Sequence, residues 1–354
     1  MTATSRTGAS TANGTAGARS RRDGPAGLPD PRGPLSDAVL AALRQPPGTV
    51  RHWPSPTGAD TDPFGEDLHL ALQTAYELHY RGWRGVDDGW EWDAGLLGFR
   101  ARLERLFLDA LRGRAAGGED AAAIDAELDA LLVEPLHGSG VSHHLAEHGT
   151  WTQMREFLVH RSIYHLKEAD PHAWAVPRLE GRAKAGLVAV EFDEFGGGRG
   201  DRMHSRLYAD LMAGAGLDDG YLHYLHAVPA QALAVVNMMS LFGLHRGLRG
   251  ALVGHFATAE ITTAPSARRM VRALDRMGAA PACVHFYAEH IEADAVHEQV
   301  MRHEVVADLL AREPSLAGGL VLGMQATALV EDDLAAHLLC AWERGASSLR
   351  RPPG

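Results

Sequence analysis

Cysteine is nearly absent: Cys283 and Cys340 are the only two in 354 residues. Two thiols cannot build a disulfide framework, a cysteine-based zinc site or an iron–sulfur cluster. Positive charge is also scarce, with 34 Lys+Arg against 45 Asp+Glu and a formal net charge of −11. That balance argues against a general nucleic-acid partner, which needs basic patches to neutralise phosphates. Long apolar runs are missing too. Ala232–Leu244 and Leu316–Val330 are interrupted by Asn237, Ser240 and Gln325, and both fall short of the roughly 18–20 clean residues that span a bilayer. No apolar segment follows Arg21 and Arg22, so no secretory signal is read and a cytoplasmic protein without a membrane partner is expected. Several motifs are absent: the Gly-Lys-Ser/Thr of a phosphate loop, a Gly-x-Ser-x-Gly elbow and His-Glu-x-x-His. The run Gly196-Gly197-Gly198-Arg199-Gly200 follows no predicted strand and fails as a dinucleotide fingerprint on context.

What is present reads as helix. Apolar residues recur at three- and four-residue spacing in Leu68–Trp83, Leu96–Leu111, Ala121–Leu132, Met154–Leu166, Pro229–Leu244, Leu248–Ile261, Ala267–Met277, Val284–Leu310 and Leu316–Trp342. That period is the signature of amphipathic helices. Pro265, Pro281 and Pro314 stand where first-turn prolines start helices. No internal repeat and no long linker divides the chain, so an all-α bundle over residues 36–345 is expected. Residues 1–35, rich in Ser, Thr, Ala, Gly and Pro with five Arg against two Asp, read as a disordered tail. Residues 346–354 read as a flexible C-terminal tail.

Twenty histidines beside those acids supply many candidate metal ligands. An acid at i and His at i+3 share one helix face. Four such pairs occur: Glu66/His69, Glu134/His137, Asp201/His204 and Asp294/His297. Roughly 2.5 would arise by chance at this composition, so a single pair means little. Asp294/His297 has company, because His290 lies four residues before Asp294. On a helical wheel the three fall at about 0°, 40° and −20°, one narrow stripe. A second cluster runs from Glu191, Asp193 and Glu194 through the glycines to Asp201 and His204. The glycines are costly within a helix, and a break there lets Glu194 and His204 turn toward one centre. The third element is Glu168, just before Pro171, which ends or kinks its helix. Dimetal sites in helix bundles combine single carboxylates with two acid-x-x-His motifs. Glu168 and Glu194 fit the singles, and Asp201/His204 and Asp294/His297 fit the pairs. His290 adds a third imidazole. Four carboxylates and three imidazoles suit two hard divalent cations such as iron or manganese.

The segments Trp151–Met212, Leu68–Trp83 and Tyr287–Val300 resemble the haem-oxygenase-like diiron oxidases and oxygenases, the iron-containing redox enzyme family. The resemblance covers roughly residues 60–345. It implies a haem-oxygenase-like fold without haem, a diiron centre of Fe(II)/Fe(III) ions, O2 as co-substrate and an external reductant or an electron-donor protein. It implies Glu168, Glu194, Asp201, His204, His290, Asp294 and His297 as ligands. Glu168, His204 and His297 would hold one iron, and Glu194, His290 and Asp294 mainly the other, with Asp201 mobile or bridging. Asp201 stands where some members have Glu. The activity so implied is N-oxygenation of an amine or guanidine in a small-molecule substrate or amino acid, in specialised metabolism. The alternatives are oxidative C–C cleavage or desaturation of a fatty or amino acid, or non-catalytic iron binding. An acidic pocket favours amines and an apolar channel favours fatty chains. Arg155, His160, His255 and Glu260 are expected near such a pocket. Cys283 and the Met238-Met239 pair read as core packing, and a bundle of this type is compatible with a homodimer.

Overall fold

The computed structural model describes residues 24–56, 61–133 and 139–352. The elements are α1 (Pro34–Leu43), α2 (Glu66–Tyr76), α3 (Ala94–Arg114), α4 (Ala121–Leu132), α5 (Val141–Glu147), α6 (Trp151–His165), α7 (Asp170–Ala173) and α8 (Gly181–Glu194). They continue with α9 (His204–Gly214), α10 (Ala230–Leu244), α11 (Arg249–Arg276), α12 (Pro281–Val300), α13 (Ala307–Arg312) and α14 (Ala317–Glu343). No strand occurs among the described residues; a lone bridge joins Ala26 to Trp83. Local chemistry sets the helix starts. Thr150 and Gln153 form a capping box on α6, Asp93 and Asp120 accept N–H groups at the heads of α3 and α4, and Pro281 begins α12.

The long α11 is the axis of the bundle, with α12, α14 and α5 packed on it. Its approach to α14 is set by glycine: a Cβ on Gly254 would lie 2.1 Å from the Leu320 carbonyl oxygen, and one on Gly323 would lie 2.0 Å from that of Ala251. Only backbones without side chains can meet so closely. α9 lies against α12 and α6, and α8 against α12, which brings the four acid- and histidine-bearing helices α6, α8, α9 and α12 together. One connected hydrophobic core takes in residues from Leu35 to Leu349. Among the described residues no helix is long and apolar enough to cross a membrane.

Three expectations change. Leu248–Ile261 and Ala267–Met277 are one helix, with Pro265 inside it rather than at a start. Proline removes one backbone bond there, but α12 and α14 hold the helix on both sides. The expected Val284–Leu310 helix is α12, a π-helical turn Met301–Val306 and α13. The expected Leu68–Trp83 helix ends at Tyr76 and passes into a 3-10 turn, Glu77–His79, whose Glu77 is drawn inward by buried partners.

Of the two expected tails, residues 1–23 and 353–354 lie outside the described residues, and the described parts make specific contacts. Arg32 pairs with Glu66 at 2.6 Å and donates to the Leu225 carbonyl at 2.6 Å. Asp67 accepts the Leu35 and Ser36 N–H groups at 2.8 and 2.7 Å, closing the head of α1. At the other end Ser348 is 2 % exposed. The Glu156 Oε2 atom accepts from Trp342 Nε1 at 2.8 Å, Ser348 N at 2.9 Å and Ser348 Oγ at 2.7 Å. Glu156→Ala should therefore leave three buried donors unmatched and cost about 3 kcal/mol of stability. Chemical denaturation of the variant checks this; an unchanged midpoint would mean that the carboxylate does not hold the C-terminal segment.

Candidate metal centre

Glu168 sits in the turn between α6 and α7. Ala169 beside it has φ 74°, a left-handed conformation that costs a non-glycine residue about 1–2 kcal/mol and turns the chain sharply after the carboxylate. α8 ends at Glu194, and Gly196, Gly197 and Gly198 follow with φ 72°, 61° and 78°. A Cβ on Gly196 would come within 2.6 Å of the Met203 nitrogen. The glycine turn thus lets the chain double back so that His204, opening α9, faces the helix it has just left. The expected helix break is there.

Two buried groups result. Glu168, His204 and His290 bring one donor atom each within 4.8 Å of one another, and so do Glu194, Glu260 and His297. His204 Nδ1 lies 2.8 Å from Glu194 Oε2, which joins the two groups, yet it makes no hydrogen bond. Close approach without donor alignment suits two ligands converging on an ion. His290 Nδ1 is 2.7 Å from the Phe286 carbonyl oxygen, so Nδ1 carries the proton and Nε2 turns its lone pair toward Glu168, 3.7 Å away. His297 Nδ1 lies 3.0 Å from Glu260 Oε2 and 3.8 Å from Glu194 Oε1. Its Nε2 meets Asp193 Oδ2 at 3.2 Å, the outer carboxylate that typically orients a metal-bound imidazole. His165 Nδ1 holds Glu168 Oε1 at 2.7 Å in the same supporting way.

The electrostatics call for a cation. Glu168, Glu191, Glu194 and Glu260 are all buried. Glu168 Oε2 and both Glu191 oxygens lack a hydrogen-bond partner, an uncommon condition for buried polar atoms. Burial, with Glu194, Glu260 and Asp170 nearby, pushes the Glu191 carboxyl up to about 9. Burial opposes a charge on His297, but Glu260, Glu194 and Asp193 outweigh it and raise the imidazole to about 9. Its raised value means that metal-free stability from this cation is full below the ordinary histidine range and is lost as pH rises toward 9. Metal must displace the same proton. Iron affinity should therefore rise with pH up to about 9, with a proton released on binding. A chelator-competition titration across pH 6–9 reads both, and a flat profile would contradict a protonated His297.

Five of the seven expected ligands lie in the two groups: Glu168, His204 and His290 in one, and Glu194 and His297 in the other. Their pairing differs from the expectation. His290 stands with Glu168 and His204, and His297 stands with Glu194, because seven residues along α12 carry the two imidazoles to different depths. Asp201 is exposed and belongs to neither group. It lies in the turn before α9 begins at His204, so the acid-x-x-His spacing has no helix under it. Asp294 lies in α12, but its side chain is outside the described residues, as are Glu134 and His137. Of the remaining pair, Glu66 binds Arg32 and His69 is held by Asn237 at 3.1 Å. Glu260 takes a ligand position that sequence reading assigned only to the pocket. Its sole signal was a lone acid within an apolar helix.

A cavity of about 380 Å³ opens onto Glu168, Glu194, Glu260 and His290. His255 lines it as expected, whereas Arg155 donates to the Gly216 carbonyl and His160 bonds Ser348 elsewhere. Cys283 and Met238 are core residues, and Met239, also buried, lines the cavity.

An all-α bundle with paired carboxylate–imidazole groups in its interior defines a helical metalloprotein of haem-oxygenase-like architecture. The profile of a family described as iron-containing redox enzyme matches residues 155–332, half of the chain. The protein belongs to that family and is an iron oxidoreductase. No curated protein matches it.

Proposed function

We propose that this protein is a non-haem diiron oxygenase that N-oxygenates an amine or guanidine group of a small molecule or amino acid in specialised metabolism, with O2 as co-substrate and electrons from an external reductant or an electron-donor protein. The observation that carries this reading is the shared cavity. Both buried ligand groups reach it, and its other wall bears Arg161, Arg269, Glu331 and Asp332. Charged walls suit a polar nitrogen compound, whereas a fatty chain wants an apolar channel.

Glu168, His204 and His290 would hold one iron, and Glu194, Glu260 and His297 the other. Its spacing on α12 would add Asp294 as a further ligand. When bound, such a pair of irons supplies dioxygen activation and paired electrons. The chain's own residues do the rest. The Phe286 carbonyl fixes the His290 tautomer, and Asp193 orients His297 through Nε2. In the metal-free protein the Glu191 carboxyl keeps its proton at neutral pH, one helical turn from Glu194.

The test is anaerobic loading with Fe(II), iron counting in the wild type and in His297→Ala, and stopped-flow absorbance on mixing with O2. About two irons per chain, fewer in the variant, and a transient whose decay an amine substrate accelerates are expected. Iron uptake indifferent to His297 would overturn the site. A transient accelerated only by fatty acids would overturn the substrate.

A further inference from the structure

We infer that the cavity wall formed by α6 and α14 is a zwitterion subsite built from Arg161 and Glu331, which takes the α-amino-acid head of a substrate and aims its side chain at the metal ligands. This rests on the reading of the cavity as the active site. Arg161 stands on α6, seven residues before Glu168, and Glu331 stands on α14. Arg161 Nη1 donates to Glu331 Oε1 at 2.7 Å, and Nη2 donates to Oε2 at 2.5 Å. Such a fork-to-fork pair uses one N–H of each terminal nitrogen and one lone pair of each oxygen. The second N–H groups and the second lone pairs remain. Both residues line the cavity, with 25 % and 32 % of their side-chain surface open.

The pair therefore offers a cationic donor edge and an anionic acceptor edge side by side, with no net charge. A carboxylate alone meets Arg161 but is repelled by Glu331; an ammonium alone meets the reverse. A group carrying both charges on adjacent atoms satisfies both edges. The polar neighbours Thr327 and His255 are engaged with one another. Thr327, one turn before Glu331, donates its hydroxyl to the Gly323 carbonyl at 2.7 Å and so receives the His255 Nδ1 proton at 2.8 Å. His255 Nε2 is in turn engaged with His172 Nε2 at 3.1 Å. Those groups are committed to one another, and the other charges on this wall, Arg269 and Asp332, are again one of each sign. Phe286 and Tyr287 also line the cavity, the Phe286 ring 4.4 Å from that of His290, and would flank the substrate's side chain.

Calorimetric binding to the full chain, under anaerobic conditions with and without Fe(II), tests this with matched probes. L-lysine is compared with cadaverine and 6-aminohexanoate, and L-phenylalanine with phenethylamine and 3-phenylpropionate. At least one amino acid is expected to bind, with both of its single-charge analogues tenfold or more weaker. In the double variant Arg161→Gln/Glu331→Gln, whose amides can still hydrogen-bond between α6 and α14, the gap should shrink to about twofold. An analogue that binds as well as its amino acid, a gap that persists in the double variant, or no binding by either amino acid would each overturn the subsite. Iron counts on the same samples keep this outcome separate from failure of the diiron reading.

Discussion

Glu194→Ala should empty both metal positions, whereas Glu168→Ala should weaken mainly one. Glu194 has one oxygen 2.8 Å from His204 and the other 3.8 Å from His297, so it touches an imidazole of each group. Removing an outer-shell partner typically lowers metal affinity 10–100-fold, and loss of a ligand shared by both positions should exceed about a hundredfold. Chelator competition with Fe(II) measures this. Equal losses in Glu194→Ala and Glu168→Ala would remove the bridging role. A second readout separates metal binding from packing. Glu194→Gln should lower the melting temperature of the iron-loaded protein by more than that of the metal-free protein, because bound metal stabilises only the folded state. A variant that lowered both equally would mark Glu194 as a packing residue.

The parts of this site carried on one helix were legible before the fold was known. His290 and His297 share a stripe of α12, and the glycines after Glu194 announce a reversal that brings His204 back. Contacts between helices were not legible. Glu260 has no acid or histidine at a helical neighbour position that singles it out; its partners arrive from α8 and α12, and only packing on α11 reveals them. Asp201 failed for a local reason, since helical spacing is meaningful only where a helix runs through both residues. Pro265 failed for the converse reason: tertiary packing sustains α11 through a residue that local preference would place at its start. The described ends of the chain, residues 24–35 and 346–352, carry contacts that composition does not announce, because Asp67 and Glu156, distant in sequence, make them.

The buried pair behind Glu168 predicts a large loss of stability. Lys167 is fully buried, and its Nζ lies 3.5 Å from Glu77 Oε2 and 3.9 Å above the Tyr80 ring. Glu77 also accepts the Tyr221 hydroxyl at 2.8 Å and the Arg81 N–H at 3.3 Å. Burial lowers the Lys167 ammonium and raises the Glu77 carboxyl from their ordinary values, and each partner's charge offsets the other's shift. Lys167→Met leaves Glu77 buried without its cation and should cost about 3–5 kcal/mol, whereas Lys167→Met/Glu77→Gln should recover most of that loss. Denaturant titrations of the two singles and the double close the cycle; additive losses would mean that the pair is not coupled. The same contact has a consequence for the metal centre. Lys167 anchors the turn in which Ala169 is held at φ 74°, and that turn presents Glu168. Lys167→Met should therefore weaken iron at the Glu168–His204–His290 position more than at the Glu194–Glu260–His297 position, a difference that a uniform loss of stability would not produce.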